Sequence, residues 1–212
     1  MLGPVTELRR DLTAKQVHLI KTTYEAVSED GSHRVTLQDI ANRAGVSKGI
    51  ILYHFTTKDR LLLRTMEWVL QRNAERIRRA IATEATPGRQ VLVMIEVIFR
   101  NPEANRRFYL TYLDFLDHAA RMDEFGKINA TFQSIVNALY ADVIRSGMVT
   151  GVFDVADIDE AANTLRAIVD GLFLQWLQEA DWKGAHSRYR EMCERAVLTY
   201  LRATFAPSLA GR

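Results

Sequence analysis

Residues 36–61 hold two short helical segments joined at a glycine, and this arrangement restricts the fold more than any other part of the chain. Thr36 and Asp39 have the spacing of a capping box, in which a hydroxyl and a carboxylate satisfy the first free N–H groups of a helix. Leu37, Ile40, Ala41 and Ala44 then recur at helical spacing. Gly45 can adopt the left-handed backbone that ends a helix, Val46 is an apolar plug for the turn, and Ser47 suits the cap of a second helix. Two helices joined by a short glycine-containing turn form a helix-turn-helix, whose second helix can lie in the major groove of DNA. Helical hairpins with no such role also contain turns of this kind. The second segment favours DNA, because Lys48, Gly49, Tyr53, His54 and Lys58 lie within about three helical turns and suit phosphate and base-edge contacts.

The remainder of the chain also reads as helix, with no sustained strand alternation and only four prolines. The spacing predicts a first helix over 14–30, closed by Asp30-Gly31, and a long helix from Thr56 or Thr57 through Ile81 that stops before Pro87-Gly88. Helices over 89–100, 103–121 and 124–146 follow, with a break near Met122-Asp123 and a turn-rich connection from Gly147 to Asp154. Asp154 or Asp157 caps a helix reaching about Ala180, and a last helix runs from about Ala185 to Phe205. The expected class is all-α: a three-helix head containing the helix-turn-helix, then a helical bundle, with about nine helices in all.

Composition narrows the function classes. The chain has 212 residues, 48% hydrophobic and 25% charged, as in an ordinary globular protein. The longest apolar run, Val91–Ile95, is too short to span a bilayer, and residues 1–12 lack the apolar stretch of a signal peptide, so no membrane association and a cytoplasmic location are expected. A single cysteine, Cys193, excludes an internal disulfide framework and a cysteine-based zinc site. The five histidines show no metal-ligand spacing, and no phosphate-binding or dinucleotide-binding glycine motif is present, so no cofactor, no metal and no catalytic residues are expected. The net charge of +2 does not by itself announce a nucleic-acid binder. Residues 48–79 are locally basic, but Arg76, Arg78 and Arg79 lie turns beyond the motif and suit a solvated face or acid pairs, leaving Lys48 and Lys58 as the charges for DNA.

Residues 13–61 resemble the N-terminal domain of the tetracycline-repressor (TetR) family of bacterial regulators. The matching features are the amphipathic first helix around Val17, Ile20, Tyr24 and Val27, then Val35–Ala41, Gly45–Gly49, Tyr53-His54-Phe55, and Lys58-Asp59 with Leu61. The Gly49-Ile50-Ile51 run is similar to the subgroup containing the choline-sensing betaine repressors. Leu52 departs from the pattern: many members carry Tyr there, often touching DNA, which shifts that work towards Tyr53. The resemblance implies a DNA-binding domain over 1–58, an effector-binding and dimerisation domain over 59–212, and a regulator, most often a repressor, that a small-molecule effector releases from its operator.

Candidate site residues follow. Thr36 and Ser47 offer hydroxyl or N–H contacts to phosphate, and Lys48 offers a contact to phosphate or guanine. Gly49 lets the helix approach the bases, Ile50 suits a thymine methyl, Tyr53 and His54 suit phosphate or base edges, and Lys58 suits phosphate. Capping the helix or packing beside Phe55 is the competing reading of His54, and Phe55 and Ile51 read as core. In the body, aromatics cluster over 99–140 (Phe99, Phe108, Tyr109, Tyr112, Phe115, Phe125, Phe132 and Tyr140), with Phe173 and Trp176 further on. Phe99, Tyr112, Phe115, Phe132, Phe173 and Trp176 are the effector-binding candidates, with Glu96, Asp114, Asp117, His118 and Gln175 as polar groups that would suit a cationic ligand. Packed core is the competing reading of the same aromatics, and Arg166 with Asp170 reads as an ion pair. The helices at about 157–180 and 185–205 are apolar on more than one face. They predict a homodimer through a four-helix interface, with core in a monomer as the alternative; the resemblance implies the dimer. Two reading heads held about 34–36 Å apart match a palindromic operator in double-stranded DNA. A helical binding module that has lost DNA function and an all-helical enzyme are the other classes.

Overall fold

The computed structural model describes residues 12–122 and 125–202. Among them the helices are α1 (Ala14–Asp30), α2 (Leu37–Ala44), α3 (Lys48–Phe55), α4 (Lys58–Ile81), α5 (Pro87–Ile98), α6 (Pro102–Ala120), α7 (Phe125–Val149), α8 (Ile158–Trp176) and α9 (Trp182–Arg202), and no strand is present. None of these helices is long and apolar enough to cross a membrane.

The local signals account for most boundaries. Thr13 and Gln16 close a capping box on α1, and Thr36 and Asp39 close the expected one on α2. Gly45 ends α2 in the left-handed conformation (φ 63°, ψ 38°), which an L side chain would strain. Ser47 caps α3 and Asp157 caps α8. Four expected boundaries move. Pro87 begins α5 rather than standing before it: Thr86 is the cap, and a proline at the first helical position loses no hydrogen bond. α7 continues through Gly147 to Val149, because Gly147 leaves room for the Phe153 ring beside the helix. α8 stops at Trp176, whose indole N–H turns to the Trp182 carbonyl (2.5 Å). α9 starts at Trp182, where Asp181 accepts from the Gly184 N–H at 3.0 Å. The break placed at Met122-Asp123 and the end placed at Phe205 fall partly or wholly outside the described residues.

The chain divides into two compact units, Met1–Trp68 with Thr111–Met122, and Val69–Leu110 with Asp123–Arg212. In the first, α1 packs on α2 and α2 on α3. Its core joins Leu19, Ile20, Ile40, Ala41, Ile51, Phe55, Leu61, Leu62, Met66 and Phe115, all buried. The period of α1, α2 and α3 therefore turns one apolar stripe of each inward. In the second, α8 packs against α7 and α9, and α5 against α7 and α9. Leu165, Val169, Phe173 and Trp176 form the buried stripe of α8, while Leu174 stays 43% exposed and Ala167 is also exposed. That helix is thus apolar beyond the stripe its own chain covers.

Candidate nucleic-acid interface and aromatic cluster

The head presents α3 from a rigid base. Ile51 and Phe55 turn inward, and the opposite face carries Tyr53 at 85% exposure, with Ile50 at 37% and Leu52 at 38%. Lys48 and Gly49 are exposed on the first turn, and a Cβ at Gly49 would meet only the Ser47 hydroxyl, at 3.7 Å. The helix is held at both ends. The Ser47 hydroxyl accepts from the Ile50 N–H (3.4 Å), and the Val46 N–H donates to the Ala41 carbonyl (3.0 Å) across the turn. His18 of α1 lies 3.1 Å from the Ala44 carbonyl and ties α1 to the end of α2. Because that carbonyl can only accept, the imidazole donates. At the far end Thr56 takes a positive φ of 66°, uncommon for a β-branched residue, and its N–H donates to the Leu52 carbonyl at 2.8 Å.

The remaining predicted contacts are placed as follows. The Thr36 hydroxyl is exposed but committed to Asp39: it donates to the carboxylate at 2.6 Å and accepts from the Asp39 N–H at 3.2 Å. The hydroxyl's bond to the carboxylate, and then one donated by the Thr36 N–H at 2.9 Å, hold the Asp39 carboxyl below its ordinary range. His54 is half-buried, with its ring 5.1 Å from Tyr53 edge to face and 6.3 Å from Phe55. Lys58 is half-buried and its ammonium donates to the Ser32 carbonyl at 2.7 Å, in the turn between α1 and α2. Arg43 forks onto Glu29 and Asp30, each at 2.6 Å, tying α2 to the C-terminal turn of α1.

Ser32 is also the centre of a polar clasp that the sequence did not announce. Its N–H and hydroxyl both donate to the Asp114 carboxylate, at 2.6 and 2.9 Å. His118 lies 2.9 Å from Asp59, and His33 lies 3.2 Å from Asp117, which also accepts from Arg121 at 2.9 Å. These bonds, Arg121 first, hold the Asp117 carboxyl below its ordinary range. Asp114, Asp117 and His118 therefore fasten the last turns of α6 to the head.

In the second unit the aromatic residues form a stack. Phe173 is sandwiched between Phe99 (centroids 4.2 Å apart, planes 17° apart) and Tyr109 (4.0 Å, 21°), with Trp176 edge-on at 5.7 Å. The stack has polar edges. The Tyr109 hydroxyl donates to Asp170 at 3.3 Å, and Arg166 pairs with the same carboxylate at 3.2 Å, as the spacing of the two residues implies. Burial raises the Asp170 carboxyl above its ordinary range, against the pull of Arg166. His186, buried against Phe99 and Trp176, donates to the Asn105 carboxamide oxygen at 3.0 Å. Burial, with Arg190 nearby, pushes its imidazole pKa down. Phe99, Phe173 and Trp176 are thus brought together as predicted. Phe132 is buried on α7, Tyr112 and Phe115 are buried residues of the first unit, and Glu96 and Gln175 are exposed. Phe125 lies among the residues whose side chains are not described. Sequence reasoning missed Asn105 and His186, which sit far apart in the chain and carried no motif; only apolar neighbours at helical spacing hinted at their burial.

Known proteins share both halves of this architecture. Residues 19–65 match the bacterial regulatory proteins of the tetR family, and residues 87–202 match the C-terminal region of BetI-type transcriptional repressors. The HTH-type transcriptional regulator BetI of Serratia proteamaculans is 29% identical over 166 residues, covering 76% of this chain and 80% of that one. Its namesake in Rhizobium meliloti is 26% identical over 160 residues, covering 74% and 75%. Among solved structures, a TetR transcription regulator from Haloarcula marismortui shares the fold with a TM-score of 0.73 at 22% identity, over 90% of this chain and 97% of that one. A transcriptional regulator from Saccharomonospora viridis in complex with choline gives 0.72 at 23%, over 86% and 94%. FadR of Bacillus subtilis in complex with stearoyl-CoA gives 0.69 at 18%, over 84% and 96%. The relatives are regulators and not enzymes, and the chain belongs to the TetR family of bacterial transcriptional regulators, with a C-terminal region of the BetI-repressor type.

Proposed function

We propose that this regulator is a repressor that binds a palindromic operator as a homodimer and leaves it when a small-molecule effector occupies the body. The outward face of α3 carries the reading: on this capped helix Lys48, Gly49, Ile50, Leu52 and Tyr53 are all exposed with respect to the described residues. Residues 1–58 act as the DNA-binding head and 59–212 as the effector and dimerisation body. Lys48, Tyr53 and His54 meet phosphates and base edges, and Ser47 and Thr36 line the backbone. One of the three ammonium hydrogens of Lys58 is held by Ser32, which leaves two for a phosphate. The dimer forms through α8 and α9, an assignment supported by the exposed Leu174 and Ala167 and by Gly171, beside which a Cβ would meet nothing within 4 Å. Phe99, Phe173 and Trp176, with Phe132 of the same unit, serve the effector. An aromatic site of this kind suits a cation such as the choline held by the Saccharomonospora relative. The effector shifts the equilibrium because it binds the released form more tightly than the DNA-bound form. The setting is the bacterial cytoplasm, on the nucleoid when DNA is bound.

The test pairs binding with assembly. A Lys48→Ala/Tyr53→Ala double variant should fold and sediment as the parent does, yet lose most of its affinity for duplexes the parent selects from a random pool. Equal binding by the folded variant, or a strictly monomeric parent, would defeat the proposal.

A further inference from the structure

We infer that α3 reads thymine methyl groups with Ile50 and Leu52, one on each strand of every half-site. This inference rests on the DNA-binding reading above and adds the chemistry of what is read. Among the described residues of the first unit, the exposed large hydrophobics are Ile50, Leu52 and Tyr53, all on one eight-residue helix. Single exposed apolar residues are ordinary, but a concentration of them marks a surface that another molecule covers. The hydrogen-bonding side chains on the same helix are few: Lys48, Tyr53 and the half-buried His54. A helix equipped this way can read only a limited pattern of donors and acceptors.

The major groove offers one apolar group to such a helix, the C5 methyl of thymine. Position on the helix then assigns the strands. Successive residues are rotated by about 100°, so with Ile51 and Phe55 inward, Tyr53 points directly away from the core. Ile50 and Leu52 fall on opposite flanks of Tyr53. A helix lying in the groove with Tyr53 towards its floor turns those flanks towards the two walls, one strand each. Gly49, one turn before Tyr53, carries no side chain and lets the backbone come close. Leu52 thereby becomes a specificity residue in its own right.

The experiment uses the full chain and duplexes it enriches from a random pool, resynthesised with deoxyuridine in place of thymidine at single positions. Uracil pairs as thymine does and lacks only the methyl. Each half-site should contain one sensitive position on each strand, with affinity falling about fourfold for each methyl withdrawn, the worth of one buried carbon. Leu52→Ala should bind more weakly and become indifferent to uracil at one of the two positions; Ile50→Ala should show the reciprocal pattern. Uracil tolerated everywhere, or sensitivity unchanged in both variants, overturns the inference while leaving DNA binding intact. A pool that yields no enriched duplex overturns the DNA reading itself.

Discussion

Replacing Asp114 by alanine should destabilise the head through two hydrogen bonds at once. Ser32 is fully buried, and its N–H and hydroxyl reach the Asp114 carboxylate at 2.6 and 2.9 Å. Hydrogen bonds to a charged group contribute about 1.5–3 kcal/mol each, and a buried donor left without an acceptor costs about 1–3 kcal/mol. The two bonds share one residue and the gap can admit water, so the sum is not simply additive; we expect a loss of about 3 kcal/mol. Against a typical total of about 5–15 kcal/mol this is a large change. Urea unfolding followed by circular dichroism reads it, at one fixed protein concentration because assembly adds to apparent stability. Ser32→Ala removes the hydroxyl bond only and should cost about 1 kcal/mol, and the double variant should cost less than the two single losses together. If Asp114→Ala unfolds within about 0.5 kcal/mol of the parent, or the double variant is strictly additive, the clasp carries no weight and the argument from its geometry fails.

Three further outcomes are expected. Gly147→Ala places a Cβ 1.8 Å from a carbon of the buried Phe153 ring, so the ring must move; melting should show a loss of about 2 kcal/mol or more, whereas Gly171→Ala, open within its own chain, should be neutral or stabilising in a monomeric background. His186 is held neutral by burial, so the unfolded chain takes up a proton that the fold refuses as pH drops below about 6.5. Its contribution is therefore present above that pH and lost with acid, and His186→Gln, which keeps a donor for Asn105, should flatten the acid side of the stability curve measured by urea titration. Burial pushes the Cys193 thiol up to about 12, so iodoacetamide at mildly alkaline pH should label the unfolded chain and spare the folded one; rapid labelling of the native protein would show that the thiol is accessible.

The elements legible in the sequence were those governed by local chemistry. The Thr36–Asp39 box, Gly45, Ser47 and Asp157 each set a boundary through a cap or a backbone angle that one to four neighbouring residues determine. The outward face of α3 followed from helical period alone, since Ile51 and Phe55 are its buried pair. What escaped depended on tertiary contacts or on signals with two local readings. Gly147 looks like a helix breaker until Phe153 is seen to occupy the space its missing side chain leaves. Asp114 and His118 look like ligand groups because nothing nearby in sequence reveals Ser32 and Asp59 as their partners, 82 and 59 residues away. Pro87 was ambiguous because proline both ends one helix and begins the next.

The sparse charge on the face of α3 has a bearing on behaviour at different ionic strengths. A protein that grips the phosphate backbone through many lysines and arginines loses its hold steeply as counterions are added, since each neutralised phosphate steepens the dependence. Here the first turn offers Lys48 alone, and the ammonium of Lys58 already leans on a carbonyl of its own chain. On the proposed reading the head neutralises few phosphates, so promoter occupancy should still fall with added potassium chloride, but along a shallower slope than that of more cationic regulators.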